Sequence, residues 1–406
     1  MLMTKSELNA GDKTHISGVK LSALASGIRY KDRLDLVLIE IPEEGTLAGV
    51  FTRNALCAAP VKIAREHLAA ANIRYFLINT GNANAGTGAK GEKVALQCCQ
   101  WLADAAGVEA TQVLPFSTGV IGEALPADKI HAVIPELYAA LAPDSWLSAA
   151  TGIMTTDTHP KFRTRLLQLA GQDCRISGIA KGAGMIKPNM ATMLAFVFSD
   201  IRVKPATLQG QLEDVVSQSF NRITVDGDTS TNDACMLVAS GRGVVFDELQ
   251  AADQESYLAA VRDIFQELAT DLIRDAEGGT KFITVKVTGG GNEQECLAVA
   301  YALAESPLVK TALFASDPNW GRILAAVGRA EVEHLDLSGV SIRLGKLSLI
   351  ENGELSASYS ESLGKQQVDQ TDIEISVELG RGSYTETVWT SDLSHDYVRI
   401  NAEYRT

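Results

Sequence analysis

The segment from Ile176 to Asp200 places the strongest constraint on the fold, because it holds two apolar, strand-like runs separated by a loop. Its sequence is ISGIAKGAGMIKPNMATMLAFVFSD. The glycines and Pro188 interrupt the apolar pattern, since proline cannot donate a hydrogen bond to a sheet and glycine favours turns. We therefore predict two strands joined by an irregular loop, with Thr192 directly before the second strand.

The remaining chain alternates between strand-like and helix-like patterns. Strands are predicted at 34–41, 75–78, 113–116, 235–239 and 281–287, and helices at 60–71, 92–106, 127–141, 208–219, 255–276 and 297–306. The C-terminal third adds several alternating strands that end in DYVRINAEYRT. No internal repeat or linker is visible. The predicted fold class is α/β (α+β), in a compact architecture whose layered sheets are covered by helices.

Composition and charge indicate a small-molecule partner. A net charge of −14 argues against nucleic-acid binding, which needs clustered Lys and Arg. No apolar run reaches the roughly 18 residues of a membrane span, and none follows the first lysine as a signal peptide would require. The six cysteines and six histidines are scattered without metal-binding or disulfide-type spacing. We therefore expect no metal, no cofactor, no membrane span, no export and a cytoplasmic location.

Two polar loops imitate ligand-binding motifs without completing them. The run DGDTSTND at 226–233 alternates oxygen ligands as a calcium loop does, but it has Thr231 where that loop needs glycine and Leu237 where it needs glutamate. The run GNANAGT at 81–87 lacks the Lys-Ser or Lys-Thr ending of a phosphate loop. We predict no calcium or nucleotide site, and a turn at 81–87 whose asparagines are candidates for facing an active site.

Thr192 has the sequence position of an amino-terminal nucleophile. A threonine at the head of a strand, after a strained loop, can attack the carbonyl carbon of Ala191 and convert the amide to an ester that water hydrolyses. The freed α-amine has an unperturbed pKa of about 7.7 to 8, which suits a general base near neutral pH. By spacing alone, however, the start of an ordinary core strand is the more frequent explanation.

Seven motifs, in register, resemble the ornithine acetyltransferase family, ArgJ. They are the 181–200 segment, STGVIG at 117–122, GIMTTD at 152–157, NRITVDGD at 221–228, EGGTK at 277–281, SDPNWGR at 316–322 and the terminal NAEYRT at 401–406. Together they extend the resemblance from about residue 15 to the last residue. The resemblance implies a self-processing acyltransferase with an N-terminal threonine nucleophile.

The resemblance also implies roles for individual residues. Thr192 matches the nucleophile, and the bond between Ala191 and Thr192 matches the autocleavage site, which would divide one assembly into an α chain, 1–191, and a β chain, 192–406. Thr118 and Gly119 match the pair that forms the oxyanion hole, where each donor contributes about 3 to 4 kcal/mol. The residues that match substrate contacts are Thr155 (favoured over Thr156), Lys181, Thr192, Glu277, Asn401 and Thr406.

Charge gives two of these contacts a chemical rationale. The ammonium of Lys181 suits the α-carboxylate of ornithine or glutamate, and the carboxylate of Glu277 suits the side-chain ammonium of ornithine. The implied reaction moves acetyl from N-acetylornithine to glutamate through an acetyl ester of Thr192, in arginine biosynthesis. Some family members also accept acetyl-CoA, and the sequence does not distinguish the two cases. The implied assembly is an α2β2 heterotetramer.

Two alternatives remain open at this stage. A self-processed amidase or aminopeptidase of related fold would use water as the acceptor, although Glu277 and the NAEYRT ending favour the transferase. An uncleaved relative that serves as a sensor would give a single intact band on a denaturing gel.

Overall fold

The computed structural model describes residues 15–187 and 193–403, which form two compact units. Unit 1 contains the described residues of 15–182, 193–221 and 229–272, and unit 2 contains 183–187, 222–228 and 273–403. The described strands, in chain order, are β1 (Lys20–Leu24), β2 (Leu36–Glu40), β3 (Thr46–Phe51), β4 (Tyr75–Asn82), β5 (Val113–Val120), β6 (Lys161–Leu169), β7 (Gln172–Lys181), β8 (Leu194–Ser199), β9 (Ile223–Thr224), β10 (Ala234–Ala239), β11 (Phe282–Gly290), β12 (Ser341–Leu344), β13 (Leu347–Glu351), β14 (Glu354–Leu355), β15 (Asp372–Glu378) and β16 (Tyr384–Ser391).

The described helices alternate with these strands along the chain. They are α1 (Ala59–Ala70), α2 (Gly88–Ala106), α3 (Ala127–Ala139), α4 (Trp146–Gly152), α5 (Pro205–Ser217), α6 (Ala251–Arg274), α7 (Glu293–Ala304), α8 (Pro307–Phe314), α9 (Trp320–Gly328), α10 (Glu361–Val368) and α11 (His395–Ala402).

Unit 1 contains two sheets. The first has the strand order β1-β2-β4-β5, in which only β4 and β5 run parallel. The second has the order β3-β10-β8-β7-β6, in which β10 and β8 run parallel and the other neighbours antiparallel. The two strands predicted on either side of the loop are present as β7 and β8, and the structure shows that they pair antiparallel.

Successive side chains along the strands of unit 1 point to opposite faces of the sheet and so enter two different cores. In β2, Val37 and Ile39 enter the core shared with the second sheet, whereas Leu36 and Leu38 enter a separate core with α2 and α3. Phe196 of the second sheet lies between the sheets, with ring centroids 5.6 Å from Phe76 and 5.0 Å from Phe116. On the outer face of the second sheet, α5 and α6 pack against its strands. The prediction of layered sheets covered by helices is confirmed.

Unit 2 is built on one mixed sheet of order β14-β13-β12-β15-β11-β16-β9. In β15, Ile373, Ile375 and Val377 are buried in a core with α7, α8, α9 and α10, while the residues between them are more exposed. This alternation is typical of a sheet with one covered face. The predicted strand at 281–287 and the predicted alternating strands of this region are present.

The C-terminal segment differs from the prediction. We placed DYVRINAEYRT at the end of the alternating strands, but His395–Ala402 forms helix α11. The side chain of Ser394 accepts hydrogen bonds from the backbone N–H groups of Asp396 and Tyr397, and Asp396 adds an acid to the first turn. This N-terminal cap stabilises a helix that the alternation of apolar residues did not reveal.

Among the described residues, no single helix is long and apolar enough to cross a membrane. The consecutive helices α7 and α8 reach that length and apolarity only together, across a 54° bend.

The topology of unit 1 predicts that cleavage between residues 191 and 192 would not release either piece. The second sheet takes β3, β6 and β7 from before this bond and β8 and β10 from after it. Separating the pieces would expose the edges of β7 and β8 and the apolar faces that they bury. We expect the two fragments to elute together in size-exclusion chromatography under native conditions and to separate only in guanidinium chloride. Thr192→Ala, which lacks the hydroxyl needed for cleavage, provides the intact reference. Elution of fragment 1–191 alone in native buffer would contradict the expectation.

Candidate active site

The end of β5 carries a backbone turn that only glycine can make. Gly119 has a φ of +133°, and a Cβ atom there would lie 2.4 Å from the carbonyl carbon of Gly81 and 2.5 Å from the nitrogen of Asn82. Any side chain would clash with this backbone, and L-residues rarely adopt such a φ. The close approach of β4 and β5 therefore holds Thr118 and Gly119 in one conformation.

Lys181 lies beside this turn at the end of β7. Its side chain is 9% exposed, and its ammonium donates a hydrogen bond of 3.1 Å to Oγ1 of Thr118. Because the Thr118 oxygen accepts from a cation, the hydroxyl proton of Thr118 is left to be donated elsewhere, as a strengthened donor. The pair can stabilise a negatively charged oxygen.

Asp157 connects this pair to the Thr155 segment. Its Oδ1 atom accepts from Nζ of Lys161 at 2.6 Å and from the backbone nitrogen of Gly182 at 2.8 Å. Its Oδ2 atom accepts from the backbone nitrogen of Thr155 at 2.9 Å. Asp157 thus joins the GIMTTD motif to the residue that follows Lys181.

The charge of Asp157 is maintained in a fully buried position. The side chains of Asp157 and Lys161 are both 0% exposed. Burial by itself would raise the pKa of Asp157, but the positive charges of Lys161 and Lys181 outweigh it and lower the pKa to about 2. The carboxylate is therefore ionised at neutral pH and accepts all three hydrogen bonds.

Asp233 is a second buried carboxyl group in unit 1, directly before β10. Burial raises the pKa of Asp233 well above its usual value, although the hydroxyls of Ser230 and Thr52 and the charge of Lys181 oppose this shift. Among the described residues its Oδ2 atom has no hydrogen-bond partner. The sequence pattern gave Asp233 no role of its own. The one feature that could have drawn attention to it is its position as an acid directly before an apolar strand.

Unit 2 contains the other predicted contacts, Glu277 and Asn401. Glu277 is buried and lies just after α6, and its Oε2 atom accepts a hydrogen bond of 2.8 Å from Nδ2 of Asn401 in α11. The backbone nitrogen of Glu277 donates to the carbonyl of Ala183 at 2.8 Å. A Cβ atom on Gly184 would lie 2.3 Å from the Glu277 carboxylate, so a larger residue there would displace this side chain.

Asp226 anchors the same segment of unit 2. Its carboxylate accepts from the backbone nitrogens of Met185 at 2.7 Å and Ile186 at 3.0 Å, and from the hydroxyl of Tyr397 at 3.1 Å. Burial, together with the neighbouring Asp226 charge, raises the pKa of Tyr397, so this hydroxyl stays protonated and donates. The sequence placed Asp226 in a calcium-like run and in the NRITVDGD motif, but it gave this residue no role and did not reveal its contacts.

The structure brings together most of the predicted residues that it describes. In unit 1, hydrogen bonds connect Thr118 to Lys181 and Thr155 to Gly182 through Asp157, and Gly119 adjoins Thr118. In unit 2, Glu277 contacts Asn401. Ala191, Thr192 and Thr406 lie outside the described residues. Within 15–187 and 193–403, no group of three or more His, Cys, Asp or Glu side chains is arranged to hold a metal.

A layered α/β fold with a lysine-supported hydroxyl next to a turn that only glycine can make has the kind of donor arrangement that acyl-transfer enzymes use. The ArgJ family model matches residues 20–406, and the chain belongs to this family. The arginine biosynthesis bifunctional protein ArgJ of Psychrobacter arcticus is 53% identical over 393 residues, which cover 96% of this chain and 97% of the relative. The ArgJ protein of Pseudomonas fluorescens is 51% identical over 394 residues, with the same coverage of 96% and 97%.

Among solved structures, the arginine biosynthesis bifunctional protein argJ of Bacillus halodurans is 37% identical to this chain. The alignment covers 50% of this chain and 95% of that chain, with a TM-score of 0.45.

The buried pair of Asp157 and Lys161 generates a stability prediction. Asp157→Asn leaves the Lys161 ammonium buried without its counter-charge, and we expect it to reduce the free energy of unfolding by about 3 to 5 kcal/mol. Urea titration monitored by circular dichroism measures this loss. Glu92→Gln, which breaks the half-exposed ion pair with Lys62, is the matched control and should cost about 1 kcal/mol or less.

The same pair makes the wild-type stability depend on pH. The pKa of Asp157 is about 2 in the folded protein and about 3.9 in an unfolded chain. A lowered folded-state pKa stabilises the fold above the unfolded-state value, and the contribution disappears as the pH falls from about 4 towards 2. Asp157→Asn should lack this component of the pH dependence. If it costs no more than Glu92→Gln and keeps the wild-type pH profile, the assignment of the buried pair is wrong.

Proposed function

We propose that the chain transfers an acetyl group from N2-acetyl-L-ornithine to L-glutamate, giving L-ornithine and N-acetyl-L-glutamate in arginine biosynthesis. The names of the relatives, at 53% and 51% identity over nearly the whole chain, support the pathway. The observation that carries the chemistry is the hydrogen bond from Lys181 to the Thr118 hydroxyl, beside the conformation that Gly119 alone permits. Both features suit a developing negative charge on an acyl oxygen.

Maturation is the first step of the proposed mechanism. The Oγ atom of Thr192 attacks the carbonyl carbon of Ala191, the C–N bond breaks, and the Thr192 nitrogen leaves as a free α-amine. Water then hydrolyses the ester, which gives a new carboxylate at Ala191 and restores the Thr192 hydroxyl. The contacts of Asp226 and Glu277 with the backbone of 183–186 support a preformed geometry for the segment that leads to this bond.

Acetyl transfer repeats the same chemistry in two halves. With the α-amine as base, the Thr192 hydroxyl attacks the acetyl carbonyl of N2-acetylornithine, and ornithine leaves with the proton on its α-amino group. The amine of glutamate then attacks the acetyl ester, and the Thr192 oxygen leaves and regains its proton. In each half the tetrahedral intermediate places a negative charge on the acetyl oxygen, to which Thr118 and Gly119 donate.

The substrate contacts follow from charge. Lys181 binds the α-carboxylate that ornithine and glutamate share, and Glu277 binds the side-chain ammonium that only ornithine has. The bond from Asn401 to Glu277 supports a fixed orientation for this carboxylate. Thr155, Asn401 and Thr406 complete the proposed set.

The reaction needs no cofactor, because Thr192 supplies both the nucleophile and the base. Acetyl-CoA is an alternative acetyl donor, since it presents the same acetyl carbonyl. The cleaved chains form an α2β2 heterotetramer. The sheet that mixes strands from both sides of the proposed cleavage site supports the association of one α chain with one β chain, and the family resemblance implies the pairing of two such units. The cytoplasm is the proposed location, supported by the scattered cysteines.

An acetyl-enzyme experiment tests the mechanism. Incubation with N2-acetylornithine alone, followed by rapid quenching and intact-mass measurement, should add one acetyl group to fragment 192–406, and glutamate should remove it. Thr192→Ala should be neither cleaved nor acetylated, whereas Thr192→Ser keeps a hydroxyl and should retain both reactions at a reduced rate. Initial rates with both substrates should give parallel double-reciprocal lines, because one nucleophile serves two successive amines.

Other outcomes of this experiment identify the alternatives. Intersecting lines with no acetylated fragment would mean direct transfer in a ternary complex. Release of free acetate at the rate of ornithine formation would indicate an amidase, in which water is the acceptor. A full-length chain as the only active form would contradict self-processing.

A pair of charge variants tests the substrate contacts. Lys181→Met should lower kcat/KM for N2-acetylornithine and for glutamate alike, by about 10- to 100-fold each, because both substrates lose one charge-assisted hydrogen bond and the Thr118 hydroxyl loses its supporting cation. Glu277→Gln should lower kcat/KM for N2-acetylornithine by a similar factor and affect glutamate much less. Glu354→Gln, at an exposed position in β14, is the control. Equal losses for both substrates in Glu277→Gln would remove the assignment of Glu277 to the ammonium.

A further inference from the structure

The two polar loops that resembled ligand-binding motifs contact each other in unit 1. Asn232, from the DGDTSTND run, donates from Nδ2 to the carbonyl of Ala83 at 2.6 Å, in the GNANAGT run. The same Nδ2 atom donates to the carbonyl of Ser117 at 2.9 Å. Its Oδ1 atom accepts from the hydroxyl of Thr231 at 2.6 Å. Both amide hydrogens of Asn232 are therefore used by backbone carbonyls, and the residue is only 5% exposed.

Ser117, the residue held by Asn232, directly precedes Thr118. While its carbonyl accepts from Asn232, its hydroxyl donates to Oδ1 of Asn79 at 2.6 Å. Asn79 in turn donates to the carbonyl of Asn82 at 2.9 Å, and Asn82 is one of the residues that approach Gly119. Ser117 is thus held from two directions, on the strand that leads into the oxyanion turn.

The other side of Asn232 connects to the second sheet of unit 1. Asn232 lies two residues before β10, which pairs with β8 in parallel, with Ala234 opposite Leu194. The backbone nitrogen of Ala234 donates to the carbonyl of Met193 at 2.9 Å. Met193 follows Thr192 in the sequence. Asn232 therefore links the strand that carries Thr118 and Gly119 to the strand that begins just after the proposed nucleophile.

We propose that Asn232 is a positioning residue that holds the Thr118–Gly119 turn in register with the strand of the nucleophile. Its donors are consumed by two buried carbonyls, so it acts through the backbone and not by contact with substrate. Preorganised donors stabilise an oxyanion only when they are held near their working geometry, and a displacement of about 1 Å costs on the order of 100-fold in rate. This inference rests on the proposed oxyanion role of Thr118 and Gly119.

Two substitutions of Asn232 test the inference. Asn232→Ala removes both donors, and Asn232→Asp keeps the shape of the side chain but can donate at most one proton. Asn72→Ala is the matched control, because the exposed Asn72 also donates from Nδ2 to a backbone carbonyl, that of Glu43, at 2.7 Å. Autocleavage is followed on denaturing gels, and kcat and KM are determined for the cleaved fraction.

We expect both Asn232 variants to self-cleave more slowly and to show kcat lowered by about 10- to 100-fold, with Asn232→Ala the more affected. KM for both substrates should stay within about threefold of wild type, because no substrate contact is lost. Asn72→Ala should match the wild type in cleavage and kcat. The loss from Asn232→Ala should also be smaller in a Thr118→Ala background than alone, because both changes damage the same donor.

Other results overturn the inference or the function on which it rests. Wild-type kcat and cleavage in folded Asn232→Ala, alongside a low kcat in Thr118→Ala, would refute the positioning role and leave the oxyanion assignment intact. Wild-type kcat in Thr118→Ala would instead refute the oxyanion assignment. Fully additive losses in the double variant would show that Asn232 acts independently of Thr118. If circular dichroism shows that neither Asn232 variant folds, its role is structural and the inference is wrong.

Discussion

Unit 1 depends on the burial of both faces of its two sheets. Strands such as β2 send alternate side chains into an inter-sheet core and into a helix-covered core, so no face of these strands is left for water. Polar groups at the strand ends must then find partners inside the protein, because an unpaired buried donor or acceptor costs about 1 to 3 kcal/mol. The asparagine contacts around β4, β5 and β10 and the contacts of Asp157 meet this requirement.

The need to pair buried polar groups places charged and hydrogen-bonding side chains at one end of the strands of unit 1. Thr118 and Gly119 lie in the last three residues of β5, Lys181 ends β7, and the buried carboxyl of Asp233 comes directly before β10. In this low-dielectric setting, Lys181 both donates to Thr118 and helps keep Asp157 ionised. Buried charges of this kind contribute little to stability overall, but they hold the donors at fixed positions.

Unit 2 uses a different arrangement. One face of its sheet is covered, and its functional candidates lie outside the sheet, after α6 and in α11. Asp226 and Glu277 form hydrogen bonds with backbone N–H and C=O groups of 183–186. The C-terminal helix contacts these two carboxylates in turn, through Tyr397 and Asn401. The segment before the proposed cleavage site is thereby ordered by residues more than 30 positions away in the sequence.

The sequence by itself determined most of the alternating strands and helices and the interrupted pair β7 and β8, because periodicity is a local property. Through its motifs it also proposed Thr118, Gly119, Lys181, Glu277 and Asn401 as site residues. It did not reveal helix α11, since a single capping residue, Ser394, outweighed the apolar alternation. Only the tertiary structure decided the roles of Asp157, Asp226 and Asn232. Their hydrogen bonds join segments that are far apart in the sequence. The packing of the strands and loops decides which buried carbonyl or N–H group each of these side chains meets, and a local sequence pattern does not contain that information.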